Sequence, residues 1–297
     1  MKILGNQNKI NLIKKLITKN QFPNSLILIG QKGIGKSLIA KNIALCLTDK
    51  ISLNELEIIN HKSNQNILVI NKDLRDEKKQ NKQLIYRDDI AHINEFFKTK
   101  NEVNLKRVCI IDSIDDLSID AINSLLKIIE EPKINNHFIL ISHDNKKLLP
   151  TIISRSFTVK LNNFKKNDYI SIINEIDDLK TTDHSYLYEL TRGSIHISRN
   201  FIYNDFRDID GHLEKVLDVK ENIKSNTAYH YINFLNDKGG EKDLIVSFFD
   251  YLILKNSLFI KKRINNLRAA KINHFINVID ELKKLKERYI TFNISYE

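Results

Sequence analysis

Along the first half of the chain, apolar residues come in short unbroken runs. "SLILI" (25–29), "NILVI" (66–70), "RVCIID" (107–112), "HFILIS" (137–142) and "FTVKL" (157–161) each predict a strand. Runs of this length with little alternation suit parallel strands covered on both faces. Between them the spacing changes to that of helices. Ile39, Ile43, Cys46 and Leu47 form one stripe, and Ile122, Leu125, Leu126 and Ile129 form another that Pro132 is expected to close. Strands alternating with helices predict a doubly wound α/β domain around a parallel sheet.

After about residue 163 the strand pattern stops. Residues 166–203 read as a small helical unit. Residues 208–297 hold longer helical patterns, including "DLIVSFFDYLILKN" and "INHFINVIDELKKLKERY". No proline follows Pro150, in keeping with an all-helical second half. The expected division is an α/β domain over 1–163, a small helical domain over 164–205 and an all-α domain over 206–297. No internal repeat or low-complexity linker interrupts this order.

Composition changes the picture little. At 42% hydrophobic and 28% charged residues, the chain has the make-up of a soluble globular protein. No apolar run approaches the ~18 to 20 residues of a membrane span. The opening "MKILGNQNKINLIKKL" lacks a signal-peptide core, so a cytoplasmic location is expected. The net charge of +10 is compatible with an acidic partner such as nucleic acid. The Lys, Asn and Ile bias is nevertheless chain-wide, and runs such as Lys261-Lys262-Arg263 read as solvated helix faces. Cys46 and Cys109, the two cysteines, are expected to be small apolar core residues, and two such ligands make no structural zinc site.

Chemistry enters at "GQKGIGKS", Gly30 to Ser37, which matches the phosphate-binding pattern G-x-x-x-x-G-K-[ST] in full. Gly30, Gly33 and Gly35 let the backbone turn tightly and aim its N–H groups at phosphate oxygens. The helix that follows points its positive end at the same anion. Lys36 would reach the β and γ phosphates, and Ser37 would ligate Mg²⁺. The expected nucleotide-binding set is Gly30, Gly33, Ile34, Gly35, Lys36, Ser37, Leu38, Asp112 and Ser142, for ATP or ADP with Mg²⁺ held through Ser37 and Asp112. Asp112 ends the third predicted strand, where a Mg²⁺-associated aspartate belongs. The next residue is Ser113, whose hydroxyl cannot take a proton from attacking water as a carboxylate does. Asp115 and Asp116 follow on a loop.

"AINSLLKIIEEP" (121–132) followed by "FILISHDNKKLLPTIISRS" (138–156) resembles the AAA+ clamp-loader family, and within it the δ′ type of subunit of bacterial DNA polymerase III. The resemblance covers the first two hundred residues well and the helical tail loosely. It implies an AAA+, RecA-like α/β domain, a helical lid over 164–205 and a helical collar over 206–297 that holds a hetero-oligomeric ring. It implies that Arg155, in "SRS", is an arginine finger offered to the nucleotide of a neighbouring subunit, and that Ser142 is the sensor that contacts the γ phosphate or attacking water. It implies as partners the motor subunits, a clamp-opening subunit, the sliding clamp and primed DNA, with no membrane.

This chain departs from the family's motors at two places. Asp112-Ser113 stands where motors carry Asp-Glu, and "GSIH" ends in His196 where their second sensor has an arginine. A zinc module of four cysteines, common in this subunit type, is absent as well. The residues that bind phosphate are present, two that hydrolyse it are missing, and the one that serves a neighbour is kept. That profile is expected of a stator. An ATP-hydrolysing motor using Asp115 or Asp116, or a P-loop kinase, would be the alternatives.

Overall fold

In the computed structural model, the described residues are 4–49, 64–72, 84–98, 106–131, 134–143, 148–176, 183–207, 209–211, 213, 225–237 and 242–292. The chain divides into two compact units, 1–168 and 169–297. The expected edge at 163/164 lies near this division, and the expected edge at 205/206 falls inside the second unit. Helix α6 (Lys166–Asn174) runs across the division.

Five strands form the first unit's sheet: β1 (Ser25–Ile29), β2 (Ile67–Asn71), β3 (Arg107–Asp112), β4 (Asn136–Ser142) and β5 (Phe157–Lys160). Their order is β2-β3-β4-β1-β5, and every pairing is parallel. β1 and β4 are buried along their whole length, as their unbroken apolar runs require, whereas the edge strand β5 buries only Val159. Strand limits differ from the sequence reading by a residue. β2 begins at Ile67, the first residue in register with β3 (opposite Val108), and Leu161 leaves β5 after giving its N–H to Ile29 O at 2.7 Å.

The helices of this unit are α1 (Gln7–Thr18), α2 (Lys36–Thr48), α3 (Arg87–Lys98), α4 (Ile119–Glu130) and the short α5 (Pro150–Ile153). α2 packs against β1, β2, β3 and β4 and is buried on nearly every side, more than the single stripe read from its sequence. α4 starts because Ser118 Oγ accepts the N–H of Ala121 at 3.2 Å, an N-cap worth about 1 kcal/mol. Its Leu125 and Ile129 join Ile27, Ile111, Phe138 and Leu140 in the core on one face of the sheet. Pro132, expected to close α4, lies outside the described residues.

In the second unit, α7 (His184–Thr191), α8 (Ile195–Tyr203), α9 (Ser225–Asp237), α10 (Lys242–Arg263) and α11 (Ala269–Phe292) follow one another, with no strand among the described residues. Its interior is polar at one place. Asp210 accepts the hydroxyls of Tyr186 and Tyr251, both at 2.6 Å, and pairs with Lys255 Nζ at 2.8 Å. Lys255 also reaches Tyr186 Oη at 2.8 Å. Phe206 stacks on Tyr251 beside this cluster, with ring centroids 5.3 Å apart.

One buried group makes the first unit's stability sensitive to pH. His137 in β4 is buried, and its Nδ1 lies 3.0 Å from the carbonyl of Pro23. A carbonyl only accepts, so the proton sits on Nδ1 and Nε2 keeps its lone pair, with no partner for it in the structure. Charging the ring would bury an N–H there, and burial accordingly lowers the His137 pKa below 6.5, against the opposing bond to Pro23. The unfolded chain therefore takes up a proton that the folded chain refuses, and stability falls as pH drops through about 6.5. Chemical denaturation followed by circular dichroism should show this loss, at a slope approaching ~1.4 kcal/mol per pH unit. His137→Gln should flatten that slope.

Candidate nucleotide-binding site

β1 delivers the chain to the loop at Gly30, whose N–H donates to Ser142 O at 3.2 Å. A Cβ on Gly30 would lie 2.7 Å from both Leu161 O and Ile34 Cδ1, so only glycine fits the close approach. Gly33 and Gly35 have φ of +85° and +84°, the left-handed region. At Gly35 a Cβ would meet nothing within 4 Å, so there the backbone angle alone demands glycine. Ile34 between them is buried, its side chain anchoring the loop. Lys36 then opens α2, with Ser37 and Leu38 half-buried in its first turn.

Lys36 is 3% exposed, and its ammonium donates to the carbonyls of Gly30 at 2.6 Å and Gln31 at 2.7 Å. Burial lowers its pKa to about 8, opposed by the charges of Asp112 and Asp115. A cation folded onto its own loop, amides turned by two left-handed glycines and a helix N-terminus together suit a phosphate group. Asp112 ends β3, half-buried, in register with Ile141 of β4. The Asp112 carboxylate and Ser37 hydroxyl are hard oxygen donors of the kind Mg²⁺ prefers.

Asp115 has a role that the sequence reading missed. It lies on a 3₁₀ turn, Ile114–Asp116, that carries its carboxylate to the end of β4. There Asp115 Oδ1 accepts the Ser142 hydroxyl at 2.9 Å and Oδ2 accepts the His143 N–H at 2.5 Å. Ser113 is buried and donates to Asp116 Oδ2 at 3.3 Å, with Lys72 Nζ 4.0 Å from the same oxygen. Both carboxylates that were candidates to replace a catalytic glutamate are thus engaged elsewhere. The signal for this was the run "DSIDD", but which aspartate turns toward β4 depends on the 3₁₀ turn.

A second missed feature lies at the start of α1. Asn6 Nδ2 donates to Asn162 O and Asn6 Oδ1 accepts the Asn162 N–H, both at 2.8 Å. Asn163 Nδ2 donates to Gln31 Oε1 of the loop at 2.6 Å. An open cleft of about 790 Å³ between these segments is lined by Gly5, Asn6, Lys9, Asn162, Asn163 and Lys165.

Arg155 is not brought to this loop. It follows α5 on the surface, 38% exposed, with Nη2 at 2.8 Å from Glu130 Oε1. Nη1 donates to Thr151 O at 3.1 Å and Ser154 Oγ at 3.2 Å. The neighbouring Leu149, Ile153 and Phe157 are exposed apolar side chains. His196 is exposed on α8, its Nε2 3.4 Å from Asn200 Nδ2. Cys46 and Cys109 are both buried, and burial raises the Cys46 thiol to about 11 and the Cys109 thiol further. Among the described residues no group of three or more His, Cys, Asp or Glu side chains is placed to hold a metal ion, and no helix is long and apolar enough to cross a membrane.

Sheet order, loop and strand-end aspartate define a P-loop α/β domain of the AAA+ class. A family model described as "DNA polymerase III, delta subunit" matches residues 5–165, more than half of the chain, and the protein belongs to that clamp-loader family. It is 31% identical over 140 residues to the DNA polymerase III subunit delta′ of Buchnera aphidicola subsp. Schizaphis graminum, a stretch covering 44% of this chain and 40% of that protein. It is 26% identical over 241 residues to the subunit gamma of the same organism, covering 80% of this chain and 64% of that one. The matched stretch thus spans less than two thirds of each relative. Among solved structures, a DNA polymerase III gamma subunit-related protein from Thermotoga maritima superposes with a TM-score of 0.51 at 17% identity, covering 95% of this chain and 97% of that one, a likeness of fold.

The engaged aspartates lead to a stability difference. Asp115→Ala leaves the Ser142 hydroxyl and the His143 N–H without their acceptor at a buried strand end, which should cost about 2–3 kcal/mol. Asp116→Ala removes a longer, more exposed contact and should cost under about 1 kcal/mol. Denaturation midpoints of the two variants against wild type measure the contrast.

Proposed function

We propose that this chain is a non-motor, stator subunit of the DNA polymerase III clamp loader, supporting the loading of a sliding clamp onto primed DNA. The observation that carries the reading is the contrast between Arg155 and the chain's own site. The Arg155 guanidinium stands on the surface among exposed apolar side chains, while Ser113 occupies the place of the catalytic carboxylate and Asp115 is committed to Ser142 and His143. A planar, permanently charged guanidinium suits the charge that develops on a transferring phosphoryl group. Arg155 is thus the finger for the nucleotide of an adjacent motor subunit, and this chain turns over no ATP itself. Residues 164–205 serve as the lid and 206–297 as the collar of a hetero-oligomeric ring with the motor and clamp-opening subunits, acting in the cytoplasm.

On this reading Gly30, Gly33, Ile34, Gly35, Lys36, Ser37 and Leu38 would hold the phosphates of ATP or ADP. Ser37 and Asp112 would hold Mg²⁺, and Ser142 would face the terminal phosphate. Mg²⁺ supplies charge neutralisation between the phosphates when bound. Lys36 would exchange the Gly30 and Gln31 carbonyls for phosphate oxygens. Without a carboxylate at position 113, nothing in this set takes a proton from water.

In a reconstituted complex of motor, clamp-opening and stator subunits, Arg155→Ala should lower DNA-stimulated ATP turnover at the served site by ~10³-fold or more. Turnover close to wild type refutes the finger. The substitution should change the chain's own stability by less than about 0.5 kcal/mol, because the Glu130 pair is exposed. A fluorescent ATP analogue with Mg²⁺ should bind the purified chain and fail to bind Lys36→Ala. Absence of signal at millimolar analogue refutes nucleotide binding and leaves the finger untouched.

A further inference from the structure

Between Asp250 and Asp280 the chain carries six Lys or Arg side chains and no carboxylate. One of them, Lys255, is buried against Asp210. The other five, Lys261, Lys262, Arg263, Arg268 and Lys271, gather where α10 turns into α11. Lys261 to Arg263 and Arg268 are exposed and Lys271 is half-exposed, with exposed Asn265, Asn266 and Asn273 among them. The turn is a firm platform, since Phe259 of α10 and Phe275 of α11 are both buried with ring centroids 5.1 Å apart.

Helix electrostatics account for only part of this cluster. Lys261, Lys262 and Arg263 close α10, where the negative end of the dipole favours cations. Arg268 directly precedes α11 and Lys271 lies in its first turn, at a positive end that disfavours them. No acidic residue stands in that turn to compensate. Lys262 meets Glu189 in one exposed pair at 3.3 Å, and Arg263 lies over the Phe259 ring at 4.8 Å. Lys261, Arg268 and Lys271 have no ion pair among the described residues. Further along α11, by contrast, Lys283 and Lys284 alternate with Asp280, Glu281 and Glu287.

We propose that this turn binds the phosphate backbone of a nucleic acid without reading its sequence. Like charges gathered at one turn, two of them set against a helix dipole, are relieved by a polyanion, which releases counterions as it binds. The cations are spread over an open turn and interleaved with amide side chains, the donors that contact phosphate and sugar. An anionic membrane fits less well, because an interfacial element needs a broad apolar face. Here Ile264 and Ile276 are the exposed large apolar side chains. The proposal does not depend on the stator reading.

The test uses the full chain and a labelled duplex of mixed sequence, with anisotropy measured between about 50 and 200 mM salt. Wild type should bind, with affinity falling steeply as salt rises. The triple variant Lys261→Ala, Arg268→Ala, Lys271→Ala should lose at least about tenfold in affinity at the lowest salt, and its log–log salt slope should shrink by about 2.7. The control triple Lys283→Ala, Lys284→Ala, Arg288→Ala removes the same charge from the mixed face and should leave the slope nearly unchanged. Circular dichroism melts confirm that both variants fold. Equal losses in the two triples, or an unchanged slope in the first, overturn the proposal. So does tighter binding of wild type to phosphatidylglycerol vesicles than to the duplex.

Discussion

Gly30 is the residue through which the first unit's parts constrain one another. Its N–H is bonded to β4 at Ser142, its Cα faces the Leu161 carbonyl at the end of β5, and its own carbonyl accepts Lys36 of α2. Sheet, loop and helix therefore meet at a point with no room for a methyl group. Lys36 is drawn onto the Gly30 and Gln31 carbonyls, which ties the start of α2 back to the loop it follows. Burial of that ammonium lowers its pKa to about 8, against the opposing charges of Asp112 and Asp115.

The same strand ends engage the carboxylates near the loop in contacts of their own. The residue after the strand-end aspartate is Ser113, tied to Asp116, and on the proposed reading it leaves no carboxylate there to take a proton from water. Asp115 has become part of the framework, clamping the end of β4 through Ser142 and His143. On the proposed reading, the chemistry has moved from this pocket to the outer surface, where Arg155 waits on Glu130. An exposed ion pair of that kind is weak, so the guanidinium is held in position yet easily released to a stronger anion.

The second unit is organised by a different constraint. Asp210 draws Tyr186 of α7 and Tyr251 and Lys255 of α10 to one buried point, tying helices on both sides of the expected lid–collar edge. A buried ion pair of this type adds little net stability but makes mispacked arrangements costly, because a lone charge would be stranded. Burial together with the Asp210 charge pushes the phenols of Tyr231 (to about 12) and Tyr251 upward, so both stay protonated and Tyr251 remains a donor to Asp210.

By itself the sequence determined whatever depends on neighbours close along the chain. Unbroken apolar runs placed the five strands to within a residue, and helical spacing located α2 and α4. The glycine spacing located the phosphate loop, and the block ending at Arg155 pointed to the family. Only the tertiary structure decided which distant groups meet. It paired Asn6 with Asn162 and Arg155 with Glu130, turned Asp115 toward Ser142, and left His137 with one partner and one orphaned nitrogen. The reason is physical: backbone periodicity is written locally, whereas a side-chain hydrogen bond across the fold depends on strand order, register and the path of intervening turns.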